Sequence, residues 1–261
     1  MDKLYIIKVG GSIIDDEERL TGFLQSFAQV KEKKILVHGG GKLATRLAEQ
    51  LHIPQQMVEG RRITDSETLK VVTMVYAGWI NKNIVAKLIQ LGCMATGITG
   101  VDGNAIQAHK RTGTAHDYGW VGDIDSVQTE FLQAIFHAAD TIVVAPITHD
   151  GKGQLLNTNA DTIAQELAKG MSDLYDTTLV FSFEKAGVLM DAADEQTLIP
   201  RMNHETYEEL KGKQVIFAGM IPKLDNAFAA LKSGVGKVVI GKAEQLEQLI
   251  TGTAGTTIIN E

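Results

Sequence analysis

Two glycine turns stand where short apolar runs end, and one of them carries a lysine. In Lys8-Val9-Gly10-Gly11-Ser12 an ammonium group precedes a Gly-Gly turn by two residues. A cation beside bared backbone N–H groups suits a phosphoryl group in transfer, whose charge is stabilised by cations and oriented amides. Lys8 also sits among Tyr5, Ile6, Ile7 and Val9, where a lysine needs a partner. The second turn, Gly39-Gly40-Gly41-Lys42-Leu43-Ala44, satisfies G-x-G-x-x-A, with Glu59 about 20 residues on; this is the formal fingerprint of a dinucleotide site. A third glycine pattern, residues 236–243, fits G-x4-G-K but ends in Ala243, where a P-loop needs Ser or Thr for magnesium. Residues 237–240 read as a strand, so their amides are not free to curl around phosphate. A tight strand–helix turn would explain either remaining cluster alone; two such clusters at strand ends point to a ligand.

A second set of polar residues lies further along. In Asn157-Thr158-Asn159-Ala160-Asp161 either asparagine could cap the helix that follows, and Asp161 falls in its first turn. Lys223, in Gly219-Met220-Ile221-Pro222-Lys223, falls in the first turn of another helix, with Pro222 suited to an early position. A cation there opposes the helix dipole and is mildly unfavourable unless an anion is present; the alternative is a solvated surface lysine. Gly60-Arg61-Arg62-Ile63-Thr64 supplies two guanidinium forks suited to bidentate carboxylate binding. His38 precedes the glycine triplet and is open to a structural or a functional role. His109, His116, His137, His149 and His204 show no metal-ligand spacing.

The elements that must position these residues alternate. Residues 4–9, 35–38, 95–99, 141–145, 178–183, 237–240 and 256–259 read as strands. Residues 16–31, 43–51, 66–91, 127–139, 161–169, 203–211, 221–233 and 243–249 read as helices. Thr64-Asp65-Ser66-Glu67 offers capping residues for the long helix at 66–91. Residues 105–123 and 148–156 read as hairpins, the latter around Asp150-Gly151. Strands separated by helices imply an α/β fold with a largely parallel sheet covered on both faces, and ligands beyond the carboxyl ends of its strands. The turn-prone stretch at 170–176 suggests a functional boundary.

Composition limits the partners. Hydrophobic residues are 44% and charged residues 22%, both ordinary for a globular chain. Lys+Arg minus Asp+Glu is 25 − 32 = −7, so no global positive field draws in nucleic acid or an anionic membrane. Glycine is high, 26 of 261 residues, and proline low at 4, which favours tight turns over loose linkers. The one cysteine, Cys93, lies in an apolar stretch and reads as buried packing; a reducing, cytoplasmic setting fits. No apolar run approaches a membrane span, and the first residues show no signal-peptide pattern.

Lys-x-Gly-Gly-Ser, His-Gly-Gly-Gly, Gly-x-Arg-x-Thr, Asn-x-Asn-Ala-Asp, Gly-Met-x-x-Lys and Gly-Thr-x-Ile occur in that order. In this the chain resembles the amino-acid kinase family over essentially its whole length, and most of all the branch acting on N-acetylglutamate in arginine biosynthesis. The resemblance implies an open three-layer α/β/α sandwich with a mainly parallel central sheet. It implies an N-terminal lobe (1–172) for the acyl amino acid and for dimerisation, and a C-terminal lobe (173–261) for ATP. It implies that Lys8 and Lys223 neutralise the phosphoryl group from opposite sides while Asp161 holds both lysines. Gly11, Gly40 and Gly41 would present backbone N–H groups. Gly40, Gly41, Arg62 and Asn157 would bind substrate, with Arg62 on the α-carboxylate. Gly10, Gly11, Ser12, Glu184 and Gly219 would contact ATP together with the two lysines. The substrate's γ-carboxylate, ionised at neutral pH, would be the nucleophile, so no general base is required. Magnesium would travel with ATP rather than in a protein cage.

There are departures from the family pattern. Glu184 stands where relatives often carry Asp, and Gly60-Arg61-Arg62 has a second arginine. The chain lacks the N-terminal helical extension of arginine-inhibited hexamers and so resembles the homodimeric, arginine-insensitive type. The 66–91 helix, with Met74, Val75, Trp79 and Ile80, is the expected dimer surface or else ordinary core. The expected reaction is ATP-dependent phosphorylation of an N-acylglutamate, acetyl or succinyl. The competing readings are another member of the family, a nicotinamide-dependent oxidoreductase using 39–44, and a non-catalytic homologue.

Overall fold

The computed structural model describes residues 1–58, 61–191, 193–216 and 220–260; Glu59, Gly60 and Gly219 lie outside them. Strand β1 (Lys3–Val9) leads to α1 (Gly11–Ile14) and α2 (Glu17–Gln29), and β2 (Lys33–His38) leads to α3 (Gly41–Gln50). The pair β3 (Met57–Val58) and β4 (Arg61–Arg62) precedes α4 (Ser66–Thr73). A π-helical stretch, Met74–Ile80, joins α4 to α5 (Asn81–Gln90). Next come β5 (Ala95–Thr99), β6 (Ile106–Lys110), β7 (Val121–Val127), α6 (Thr129–Phe136), β8 (Thr141–Ala145), β9 (Ile147–His149), β10 (Leu155–Thr158) and α7 (Ala160–Met171). Then follow β11 (Asp176–Phe183), β12 (Arg201–Met202), α8 (His204–Gly212), α9 (Ile221–Lys232), β13 (Lys237–Lys242), α10 (Leu246–Thr251) and β14 (Thr256–Ile258).

The main sheet has the order β12-β14-β13-β11-β1-β2-β8-β5, and every neighbouring pair is parallel except β13–β14. Strand alternation divides its side chains between two cores. Leu4 and Ile6 of β1 pack beneath α6, α7, α8 and α9, whereas Tyr5, Ile7 and Val9 pack beneath α2, α3, α4, α5 and α10. The result is the expected three-layer sandwich. Each fully buried Leu or Ile in it stabilises by about 1.5–3 kcal/mol. The same alternation puts Lys8 on the side of Leu4 and Ile6, at the strand end, toward the helices that carry Asp161 and Lys223.

The two expected hairpins join into one small closed barrel, β10-β7-β6-β9. Its strands leave from the carboxyl ends of β5 and β8, and Asn157 of β10 pairs with Val121 of β7. The 236–243 segment is strand β13, paired along its length with β11. Cys93 is buried, as expected.

Several readings are corrected. Val127 is not the start of a helix but the end of β7, opposite Ile106, and α6 begins at Thr129. The 66–91 helix is one path of three segments, and its π-helical middle changes which side chains share a face. Val75 and Ile80 are core residues at 5% and 2% exposure, while Met74 and Trp79 stand out at 54% and 67%. Only the latter two remain available to a partner. The short strands β3, β4 and β12 have no counterpart in the periodicity, being two residues each.

Candidate active site

Lys8 ends β1, Asp161 opens α7 and Lys223 opens α9, and the three side chains meet. Lys8 Nζ lies 2.8 Å from Asp161 Oδ1, and Lys223 Nζ donates to Asp161 Oδ2 at 2.6 Å. Asn159 is the cap of α7: its Oδ1 accepts from the amides of Asp161 and Thr162 at 2.8 and 3.1 Å, which fixes the first turn. A carboxylate there is favoured by the helix dipole, and the lysine in the first turn of α9 is not; the carboxylate of one helix offsets the misplaced cation of the other. Burial alone would raise the Asp161 carboxyl, but Lys8 and Lys223 overcome it and hold the group down at about 2. Burial, and then the repulsion of Lys8, lowers Lys223, with Asp161 and Glu184 acting against that.

The glycine turns border this cluster at the carboxyl ends of β1 and β2. Gly10 donates its amide to Ser182 O at 3.1 Å, and Ser12 Oγ donates to Glu184 Oε2 at 2.9 Å, tying the first turn to the end of β11. Gly40 caps α3 at φ 142°, where a side chain is strained and would also run into Ile80 Cδ1. A side chain at Gly39 would meet nothing within 4 Å, so packing alone does not call for glycine there.

His38, fully buried, holds the second turn from behind. Burial pushes its imidazole down to about 4, so the ring is neutral at neutral pH. Nδ1 lies 2.9 Å from Gly39 O and must be the protonated nitrogen; Nε2 then accepts from Asn81 Nδ2 at 3.4 Å. Asn81 Nδ2 also donates to Val143 O at 3.0 Å.

A cleft of roughly 200 Å³ adjoins the cluster, lined by Arg61, Arg62, Arg111, Tyr76, Asn157 and Asn159 among others. Arg62 is buried at 9% exposure and is held from α3 and from the loop before β3: its guanidinium donates to Thr45 Oγ1 at 2.8 Å and to Gln55 Oε1, and Gln55 in turn donates to Thr68 Oγ1 of α4 at 3.1 Å. Burial raises the Tyr76 hydroxyl, against the nearby Arg62. Asn157 does not cap; its Nδ2 donates to Thr64 Oγ1 at 3.0 Å. Arg111 is locked by Asp123, with Nε and Nη2 both donating to Oδ1, at 3.0 and 2.5 Å. Asn159, which caps α7 beside Asp161, is also among the residues lining the cleft. A wider groove beside Lys3 and Tyr5 opens at the other end of β1, away from both glycine turns. Among the described residues, no three His, Cys, Asp or Glu side chains gather as a metal site, and no helix is long and apolar enough to cross a membrane.

The sequence model of the amino acid kinase family matches residues 3–242. The chain belongs to the amino acid kinase family. It is 54% identical over 262 residues to an acetylglutamate kinase of Cytophaga hutchinsonii, with 99% of each chain covered. It is 40% identical over 245 residues to one of Methanopyrus kandleri, covering 92% of this chain and 96% of that one. The fold is shared with the N-acetylglutamate synthase of Neisseria gonorrhoeae bound to coenzyme A and N-acetylglutamate, at TM-score 0.83 and 20% identity, over 99% of this chain and 59% of that one. It is shared also with the Giardia lamblia carbamate kinase bound to AMP-PNP, at TM-score 0.73 and 13% identity, over 100% of this chain and 99% of that one. Family membership removes the oxidoreductase reading, and the 39–44 fingerprint is a turn of an amino acid kinase.

Of the residues singled out in the sequence, Lys8, Asp161 and Lys223 converge. Gly10, Gly11, Ser12 and Glu184 group at the ends of β1 and β11, Gly40 and Gly41 start α3, and Arg62 and Asn157 share the cleft. Sequence reasoning missed Gln55, Thr45, Tyr76 and Arg111, and weighed Asn159 only as a cap. The one signal for Arg111 was the cross-strand spacing to Asp123 in a hairpin already expected.

Proposed function

We propose that the protein is an acetylglutamate kinase: it uses ATP to phosphorylate the γ-carboxylate of an N-acylglutamate, giving the acyl phosphate and ADP in arginine biosynthesis. The observation that carries the reading is the buried Lys8–Asp161–Lys223 cluster, joined through the cap residue Asn159 to a cleft lined by Arg62 and Asn157. Arg62 takes the α-carboxylate and Asn157 binds beside it. The γ-carboxylate oxygen attacks the terminal phosphorus; the C–O–P linkage forms as the bond to the ADP oxygen breaks. Lys8 and Lys223 offset the charge on the moving phosphoryl oxygens, and Asp161 prevents the two ammoniums from moving apart. The amides at Gly11, Gly40 and Gly41 receive phosphate and carboxylate oxygens, while Gly10, whose amide is bound to Ser182 O, shapes the turn beside ATP. No proton is removed from the nucleophile, so catalysis rests on placement and charge. Magnesium arrives on the nucleotide, whose adenosine side we assign to residues 173–261, Glu184 among them, with Ser12 near the phosphates and Gly219 assigned to ATP by the resemblance alone; residues 1–172 hold the acyl amino acid. We place the protein in the cytoplasm as a homodimer, joined through the helical face that exposes Met74 and Trp79.

A coupled assay for ADP, with hydroxylamine trapping of the acyl phosphate, tests this reading. Lys8→Ala and Lys223→Ala should each lower turnover by about 10²–10³, the scale for removing one oriented charge stabiliser. ADP release without hydroxamate, or near-normal turnover in both variants, would overturn the assignment.

A further inference from the structure

We infer that His38 is a positioning residue for phosphoryl transfer: it pins the Gly39 carbonyl, so that the amide of Gly40, on the opposite edge of the same peptide, is held facing out of the core toward the site. The inference rests on the kinase reading above and gives that site a residue that acts through another. His38 ends β2 opposite Val9, so the turn it precedes leaves the sheet beside the turn that follows Lys8. The imidazole is fully buried, and its Nδ1 lies 2.9 Å from Gly39 O. Across a trans peptide the C=O and the next N–H point in opposite directions. A carbonyl drawn onto the buried ring therefore turns the Gly40 N–H outward. Among the described residues, no protein acceptor takes that amide.

Glycine on both sides makes the pin necessary. Turning this peptide over changes ψ of Gly39 and φ of Gly40, and glycine accepts either sign of φ. The imidazole bond is what selects one face. It does so only with the proton on Nδ1, and Asn81 sets that tautomer. Asn81 is buried; its Oδ1 accepts from Lys82 Nζ at 3.1 Å and its Nδ2 donates to Val143 O at 3.0 Å, which fixes the amide with a donor 3.4 Å from His38 Nε2. A donor facing Nε2 leaves the ring proton for Nδ1.

The test measures kcat and both Michaelis constants by hydroxamate formation from N-acetylglutamate and ATP, together with Tm, for His38→Asn, His38→Gln and His38→Leu. Asn carries an amide N–H near the place of Nδ1, Gln near that of Nε2, and Leu neither. His38→Gln and His38→Leu should lower kcat by about tenfold or more with the Michaelis constants little changed, as for a donor that counts mainly in the transition state. His38→Asn should keep kcat within about threefold of wild type, although its Tm falls like that of the other two. A merely structural histidine gives a lower Tm in all three with equal turnover per folded molecule, and that result overturns the inference. The wild-type protein supplies a second measurement that needs no variant. Long-range proton–nitrogen NMR correlation should show the His38 ring proton on Nδ1, and a proton on Nε2 overturns the inference. If the wild type itself forms no hydroxamate, the kinase reading fails and the inference with it.

Discussion

Asp161 is the residue on which the charge balance of the site turns. It is buried between two ammonium groups and ionised well below the ordinary carboxylate range, at about 2. A carboxyl whose folded value is depressed adds stability that is present above its unfolded value, near 4, and is lost as pH falls through the folded value. The window is therefore pH 4 down to 2, and a depression of this size corresponds to about 2 kcal/mol. Asp161→Asn should reduce stability at neutral pH by at least that much, since it leaves two buried lysines without a counter-charge. The gap between wild type and variant should narrow as pH drops from 4 toward 2. Urea unfolding at stepped pH measures it, and a gap constant across that range would contradict the pairing. The meeting of these residues was legible before the fold: a lysine inside an apolar strand and another at the wrong end of a helix both called for an anion. Arg62's hold on Thr45 was not legible, because nothing in local spacing marks a contact between residues 17 positions apart.

At the scale of elements, the turn after β2 depends on the helix packed behind it. The π-helical stretch ends at Ile80, whose Cδ1 occupies the space a side chain at Gly40 would need, and the next residue, Asn81, bonds His38 and Val143. Gly97 admits Asn81, since a β-carbon there would strike Asn81 Oδ1. The two glycines of the turn should therefore respond differently. Gly40→Ala forces a left-handed conformation and a clash, and should cost about 1–3 kcal/mol in thermal unfolding. Gly39→Ala meets open space, so its stability should stay within about 0.5 kcal/mol of wild type. Equal losses in both would mean that Ile80 does not set the turn. Alternation of strand and helix made the sandwich readable, because each buried strand is a short apolar run between helical repeats. The π segment escaped because it shifts the helical period by a fraction of a turn. The closed barrel escaped because its strands pair across 36 residues of chain, from Val121 to Asn157, which no local pattern encodes.

For the whole molecule, a hydrophobic repeat shows that a face is covered but not by what. Val75 and Ile80 are covered by their own chain, whereas Met74 and Trp79 are not. Aromatic residues near the centre of an interface carry a large share of association energy. On the proposed homodimer, Trp79→Glu should convert dimer to monomer in sedimentation velocity, weakening association by about 30-fold or more. A wild-type protein that sediments as a monomer at micromolar concentration, or a variant that remains dimeric, would remove this face from the assembly.

The carboxylate shared by Lys8 and Lys223 leaves the cluster with one net positive charge, two ammoniums against one anion. So modest an excess holds a lone chloride weakly, because the anion would have to compete with a carboxylate already in place. On the kinase reading a triphosphate would spread several charges over both lysines and the adjoining glycine amides and gain from all of them at once. Such a site would discriminate by valence, and the salt of its surroundings would be a poor inhibitor.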